Sequence, residues 1–422
     1  MAILLKNATY IDWRTLEFTE TDILVEEGLK GKIKLFYPGE ANEESSETID
    51  CTGKFVTKSF ANGHHHVYSA LSRGMPPPEK SPQNFHEKLK YVWWRLDKAL
   101  ELDIIEASAL FTAMECAKNG VTYVIDHHAS PFAIEGSLET IAEAFDKVGV
   151  SHLLCYEISD RDGEEVTQQG LHETASYLSN NEGLVGLHAS FTVSDKTLTS
   201  AVEIAHKFNS GIHIHTAEDK IDQINSIENY GIRVINRLKD FNVLELPKTI
   251  LAHCIHLNDE ERKLLKNSEA WIVLNIESNI NNNVGFFSSA RLGENIMFGT
   301  DGMHSDMIRS AKAVYMNSLR IDKTTPQKIY NRFRNVSNYL YQNNFNGDGE
   351  NNLVVLDYKS PTDLKQENFL SHFIYGIESK HIQHVISNGK IIVKNKQLTM
   401  VNEAEMLEFS MEMGNKLWKK LK

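Results

Sequence analysis

The sequence predicts a (β/α)8 barrel of the TIM-like α/β class, carrying a small β domain assembled from both chain ends. Three observations predict it. Through the middle of the chain, short apolar runs with strand character alternate with helical periodicity, and eight such runs can be counted. Polar, ligand-type side chains gather where these runs end, the face on which such barrels place their chemistry. The two chain ends read as strands without intervening helices, and neither holds enough apolar residues for a core of its own.

Taken in order, residues 3–10, 21–26 and 32–37 read as strands, with Gly28 and Gly31 between the last two, and 39–46 as a surface loop. The apolar run Gly53-Lys54-Phe55-Val56 leads into Gly63-His64-His65-His66 and is expected to supply the first barrel strand. Residues 102–119 have helical periodicity and stop at Gly120, and a strand follows at 121–126. The alternation continues as helix 138–148, strand 151–156, helix 164–180, strand 184–188, helix 198–208 and strand 211–215. Helix 221–238, strand 249–253, helix 259–266, strand 271–275 and strand 296–300 complete it. Beyond the barrel, 353–356 and 384–393 read as strands, the second holding the hairpin signal Asn388-Gly389. The expected organisation is a composite β-sandwich domain from 1–57 and 350–402, a (β/α)8 barrel over 58–349, and an amphipathic C-terminal helix over 403–422.

The composition of the 422 residues, 41% hydrophobic and 24% charged, is that of an ordinary globular protein. A net charge of -13 argues against a nucleic-acid partner. Cys51, Cys116, Cys155 and Cys254 are scattered without paired spacing, which suits reduced thiols. The start Met1-Ala2-Ile3-Leu4-Leu5-Lys6 lacks a secretory pattern, and no apolar run is long enough to span a membrane. The expectation is a cytoplasmic protein with a small-molecule substrate and no membrane partner. Homo-oligomerisation stays open.

In a strand, alternate side chains share a face, so His64 and His66 point together and His65 away. His215 and Glu218 follow the run Ile212-His213-Ile214, His253 ends Leu251-Ala252-His253, and Asp301 follows Gly299-Thr300. Each has a structural reading taken singly: Glu218 as a helix cap, His253 as a polar strand end, Asp301 as a cap after Gly302. Their recurrence at successive strand ends points instead to a metal site, with His64, His66, His215 and Asp301 as ligands of one divalent ion. Zinc comes first for this donor set, with iron or manganese as alternatives. A water completing the shell would be acidified towards neutrality and supply hydroxide. Glu218 suits a general base and proton shuttle, and His253 a group that orients the nucleophile or steadies an oxyanion.

These residues resemble the amidohydrolase superfamily, and within it the cytosine-deaminase-like, ATZ/TRZ-type metal-dependent aminohydrolases. The resemblance spans nearly the whole chain. It rests on His64-x-His66, His215-x-x-Glu218, Ala252-His253-Cys254, Ser278-Asn279, Gly299-Thr300-Asp301-Gly302 and the stretch from Leu187 to Ser194. More narrowly, the chain is similar to the SsnA group of aminohydrolases. The segments that carry this are His65 to Gly74, Trp93 to Lys98, Asp126 to Pro131, Cys155-Tyr156-Glu157 and Ser159 to Gly163. The resemblance implies hydrolytic release of ammonia from a nitrogen heterocycle such as a purine, pterin or pyrimidine. It implies a catalytic role for Glu218, His253 and Asp301, and a substrate contact at His188. Arg73, Trp93, Trp94, Glu157 and Arg161 are further candidate substrate contacts, by hydrogen bonding or ring stacking. Three positions depart from the family pattern: Lys58-Ser59, Ile276-Glu277 and Asn352. Two other readings stand beside this one. A dinuclear cyclic-amide hydrolase of the dihydropyrimidinase kind would need a lysine at the end of strand four, where Leu187-His188-Ala189 offers none. A non-catalytic scaffold on the same fold would have no need of all four ligands and Glu218.

Overall fold

The computed structural model describes residues 2–41 and 43–422. Eight strands pair in parallel and in chain order: Phe60–His65, Val121–His128, Ser151–Ile158, Val185–Ala189, Ile212–Thr216, Ile250–His253, Trp271–Leu274 and Ile296–Phe298. Helices fill the connections, giving the predicted (β/α)8 barrel. Most of these strands are buried at every residue, because the barrel interior covers one face and the helices cover the other. The ring closes at a single seam. The amides of Thr300 and Asp301 both donate to the carbonyl of His64 at 3.1 Å, so the first and last strands meet at the predicted ligand residues.

Inside the barrel, Tyr123, Ile125, Leu153, Ile250, Trp271 and Met297 form a packed core, plugged from below by Val336, Tyr339 and Leu340 of the helix Pro326–Gln342. The predicted helix over 221–238 is two helices, Lys220–Tyr230 and Val234–Asp240. Gly231, at φ +73, ends the first in the left-handed conformation that glycine adopts without cost.

A second, nine-stranded sheet unites the chain ends. Its path runs Gln397–Leu398, Lys390–Lys394, Ile382–Ser387, Leu353–Leu356, Phe55–Lys58, Ala2–Ile11, Phe18–Glu26 and Ile33–Phe36, with Glu47–Asp50 added beside Ala2–Ile11. Ile3, Leu5, Ile23 and Val25 from one end pack against Leu353, Val355 and Ile386 from the other, so the core needs both. Asn388 and Gly389 form the expected turn, with φ of +50 and +74. The helix Glu403–Lys420 returns to the barrel, where Ser410 and Trp418 donate to the carbonyls of Ala107 and Leu71. Among the described residues, no helix is long and apolar enough to cross a membrane.

The first barrel strand differs from expectation. Phe55 and Val56 belong to the second sheet, and the chain changes sheet at Lys58-Ser59. Buried cations hold this crossing. Lys58 Nζ lies 2.8 Å from Asp348 and also donates to the carbonyls of Asp348 and Gly349. Arg334 donates to the carbonyls of Lys58 and Ser59 at 3.1 and 2.8 Å and lies among Trp13, Phe60, Tyr330 and Phe333. The departure from the family pattern at this point is thus built into a buried tie. Arg334→Ala should lower stability by about 2–4 kcal/mol, because two buried carbonyls lose a charged donor. Urea unfolding of the variant and the parent checks this, and a loss below about 1 kcal/mol would mean the crossing does not depend on Arg334.

Candidate active site

The barrel's sequence places five side chains of one chemistry at its C-terminal mouth. His64, His66, His215, His253 and Asp301 are all buried, none more than 8% exposed. The backbone reaches these positions under strain: Ala217, His253 and Asp301 have φ of +47, +71 and +54, unusual for residues with a Cβ and typical of functional strand ends.

The histidines are held by their far nitrogens. Nδ1 of His66 donates to the His127 carbonyl, Nδ1 of His215 to the His188 carbonyl, and Nδ1 of His253 to Asn279 Oδ1, each at 2.7 Å. With the proton on Nδ1, each Nε2 presents its lone pair to a common centre. Nδ1 of His64 lies 2.9 Å from His213 Nε2. The Nε2 atoms of His64 and His253 are buried without a hydrogen-bond partner. His66 Nε2 lies 3.1 Å from both His215 Nε2 and Asp301 Oδ1, while His64 Nε2 is 4.0 Å from Asp301 Oδ1. Buried, convergent lone pairs facing a carboxylate repel one another unless a cation sits among them, so the donor set fits a divalent metal. His127 lies in the same cluster, but its Nε2 faces the carbonyls of Leu187 and His213 and its Nδ1 faces Glu157 at 3.3 Å, so it is turned away from that centre.

Glu218 is not the helix cap. Asp219 takes that role, accepting from Ile221 N. Glu218 turns inward instead, with Oε2 3.6 Å from His253 Nε2, whose other carboxylate neighbour is Asp301 Oδ2 at 3.7 Å. Burial, with Asp301 beside it, pushes the Glu218 carboxyl well above its ordinary range. Asp301 behaves oppositely: burial raises it, but His66 and His253 outweigh that and hold it well below.

A cavity of about 200 Å³ opens over this cluster. Its floor holds His66, His215, Glu218 and Asp301, and its walls are Phe85, Leu89, Trp93, Trp94, Tyr68 and Met303. The wide helical turn Leu89–Trp93 brings the adjacent residues Trp93 and Trp94 to the same wall. His188 lines the cavity with Nδ1 2.7 Å from Thr192 Oγ1, and burial pushes its imidazole down to about 3. Glu157 also lines it. Arg161 does not: it lies behind the wall, bonded to Glu157, Asp97 and Asp162. Arg73 is elsewhere, its guanidinium over Phe111 beside a separate hollow.

Sequence reasoning passed over Asp97, Tyr68 and Asn282, which border the cavity. Tyr68 and Asp97 lie in segments that carry the resemblance, but only the fold shows that they border the cavity. The departure at Ile276-Glu277 forms part of a helix, Ile276–Asn282. Glu277 bonds His304, Arg309 and Ser310, and so ties the segment after Asp301 to the helix that carries Ser278.

A 5-methylthioadenosine/S-adenosylhomocysteine deaminase of Thermoanaerobacter pseudethanolicus is 25% identical, over 96% of this chain and 97% of that protein. A 5′-deoxyadenosine deaminase of Methanococcus maripaludis is 27% identical, over 93% and 95%. Among solved structures, an adenosine deaminase from Xanthomonas campestris with bound zinc superposes with a TM-score of 0.84 at 16% identity, covering 98% of each chain. The sequence profile of the amidohydrolase family matches residues 55–332, which hold all eight barrel strands and the candidate ligand positions, and the chain belongs to the amidohydrolase family.

Proposed function

We propose that this hydrolase of carbon–nitrogen bonds is a metal-dependent deaminase acting on an adenine nucleoside, with one zinc ion held by His64, His66, His215 and Asp301. The observation that carries the reading is the convergence of three histidine lone pairs and a carboxylate on one buried centre, with Glu218 and His253 beside it. The adenine nucleosides in the names of the two relatives support the substrate class. The four cysteines are free and buried, which supports a reducing, cytoplasmic setting.

A divalent ion held there supplies Lewis-acid chemistry, lowering the pKa of water towards neutrality. Glu218 takes a proton from the attacking water through a carboxylate oxygen and returns it to the departing amino nitrogen. Water's second proton ends on the ring nitrogen next to the attacked carbon as water's oxygen becomes the ring carbonyl, the C–N bond breaks, and ammonia leaves. His253 has Nδ1 tied to Asn279, so its Nε2 accepts from that water and orients it. Phe85, Leu89, Trp93 and Trp94 exclude bulk water and offer flat faces to a ring. His188 holds the substrate from the wall. No lysine borders the cavity among the described residues, which disfavours the dinuclear reading.

The experiment is ammonia release from a panel of purines, purine nucleosides, pterins and pyrimidines. Turnover of adenine nucleosides above the other rings is expected, and ammonia from none of the panel would sink the reading. His188→Ala should keep the metal and lower kcat/KM by roughly 10- to 100-fold, mainly through KM. Loss of the metal in that variant would instead make His188 a ligand.

A further inference from the structure

The cavity wall holds an acid that the mechanism above does not use. Asp97 lies on the helix Trp94–Ala99 and is 1% exposed. Its Oδ2 accepts from Arg161 Nη2 at 2.7 Å. Its Oδ1 is buried without a hydrogen-bond partner, and the residue borders the cavity. Trp94, on the same wall, has its indole Nε1–H buried and unpartnered, with the Arg161 guanidinium 5.4 Å from its ring.

The charges around Asp97 do not cancel. Three carboxylates, Asp97, Glu157 and Asp162, share Arg161, and Lys98 adds a second cation at 2.6 Å from Asp162. With all three ionised one negative charge would be left over; burial pushes the Asp97 carboxyl up to about 7 against it, and His127 Nδ1 lies 3.3 Å from Glu157. A buried carboxylate oxygen without a donor is costly, and native proteins rarely leave one.

We propose that Asp97 is a specificity-determining residue that accepts a hydrogen bond from an N–H or O–H of the substrate other than the departing amino group. The proposal rests on the deaminase reading and deepens it. Such a donor is a hydroxyl of an attached sugar or an N–H of the ring itself. Either way the cavity selects for a molecule that can donate at this point, and it rejects a methylated or deoxygenated counterpart by leaving Oδ1 desolvated and unpaired.

Asparagine at this position makes a sharp test. Arg161 can only donate, so it claims the amide oxygen, and the amide NH2 then faces the cavity. An acceptor becomes a donor without a change of shape. Two ligand pairs separate the sources: 5′-deoxyadenosine against the same nucleoside lacking its 2′- and 3′-hydroxyls, and adenine against 9-methyladenine. For the wild-type protein, the donor-bearing member of one pair should be preferred. That pair identifies the source as sugar or ring. Asp97→Asn should cut kcat/KM for the preferred member by roughly 10- to 100-fold, mostly through KM, and leave its counterpart within about twofold. Should the variant fold poorly, Asp97→Ser, which leaves Arg161 its bonds to Glu157 and Asp162, should show the same selective loss. Ligand binding to the metal-loaded proteins, followed by quenching of tryptophan fluorescence, gives a second readout. If no compound on the panel releases ammonia, the deaminase reading fails, while the binding preference and its loss in the variants still judge Asp97. Equal effects on both members of each pair, or none on either, would overturn the proposal and leave Asp97 as a wall residue satisfied by water.

Discussion

Glu218→Gln should leave the protein folded and metal-loaded while kcat falls by on the order of 10²–10⁴-fold, the usual weight of a positioned acid/base. Glutamine matches glutamate in shape and can keep the place beside His253, but it cannot take a proton from water or return one to nitrogen. Each turnover needs both transfers, and no other carboxylate reaches the same point without leaving the ligand set: Asp301 is engaged with His66 at 3.1 Å. The inward turn of Glu218, with Asp219 taking over the helix cap, is the structural basis. The measurement is kcat on the best substrate of the panel, with metal content determined on the same sample. Near-parental turnover with metal in place would remove Glu218 from the mechanism and make His253 the next candidate carrier.

The second large effect is expected at His215. Its Nε2 lies 3.1 Å from that of His66, and its Nδ1 is fixed on the His188 carbonyl, so its lone pair has no other use. His215→Ala should reduce bound metal to below roughly a tenth of an equivalent and take activity down by at least about 10⁴-fold, because the site loses one of its neutral nitrogen ligands. Stability should also change. The parent should gain stability when metal is added, and the variant should not. Melting temperatures of both proteins with and without metal settle the point. A variant that kept a full equivalent of metal would mean that His253 completes the shell.

Most of the barrel was legible because its strands are buried on both faces, and such strands read as continuous apolar runs broken by helical periods. Trp271–Leu274 and Ile296–Phe298 are of this kind. The candidate ligands were legible because each falls at the end of such a run. What escaped depends on contacts distant in sequence. Phe55-Val56 and Phe60-Ala61 look like one strand until Lys58 meets Asp348, and Arg334 meets the carbonyls of Lys58 and Ser59, some 275–290 residues away. Asp97 sits in the stretch Trp93 to Lys98, where the tryptophans and not the acid stand out as candidate contacts. Its proposed role emerges only when Arg161, 64 residues later, pins one oxygen and leaves the other buried without a partner at the cavity's edge. Arg161 and Arg73 carry attractive chemistry in the sequence, yet one is locked in the wall and the other lies over Phe111. Ligand-type residues at strand ends announce themselves, whereas wall residues are defined by what packs behind them.

The central claim is one divalent ion and one proton-carrying glutamate working on a heterocyclic amine. Its most direct test is to strip the protein with a chelator, titrate zinc back, and follow ammonia release from the best adenine nucleoside. Activity should climb in proportion to added zinc and level off at about one equivalent per chain. A plateau at two equivalents, or full ammonia release from the metal-free protein, would contradict the account.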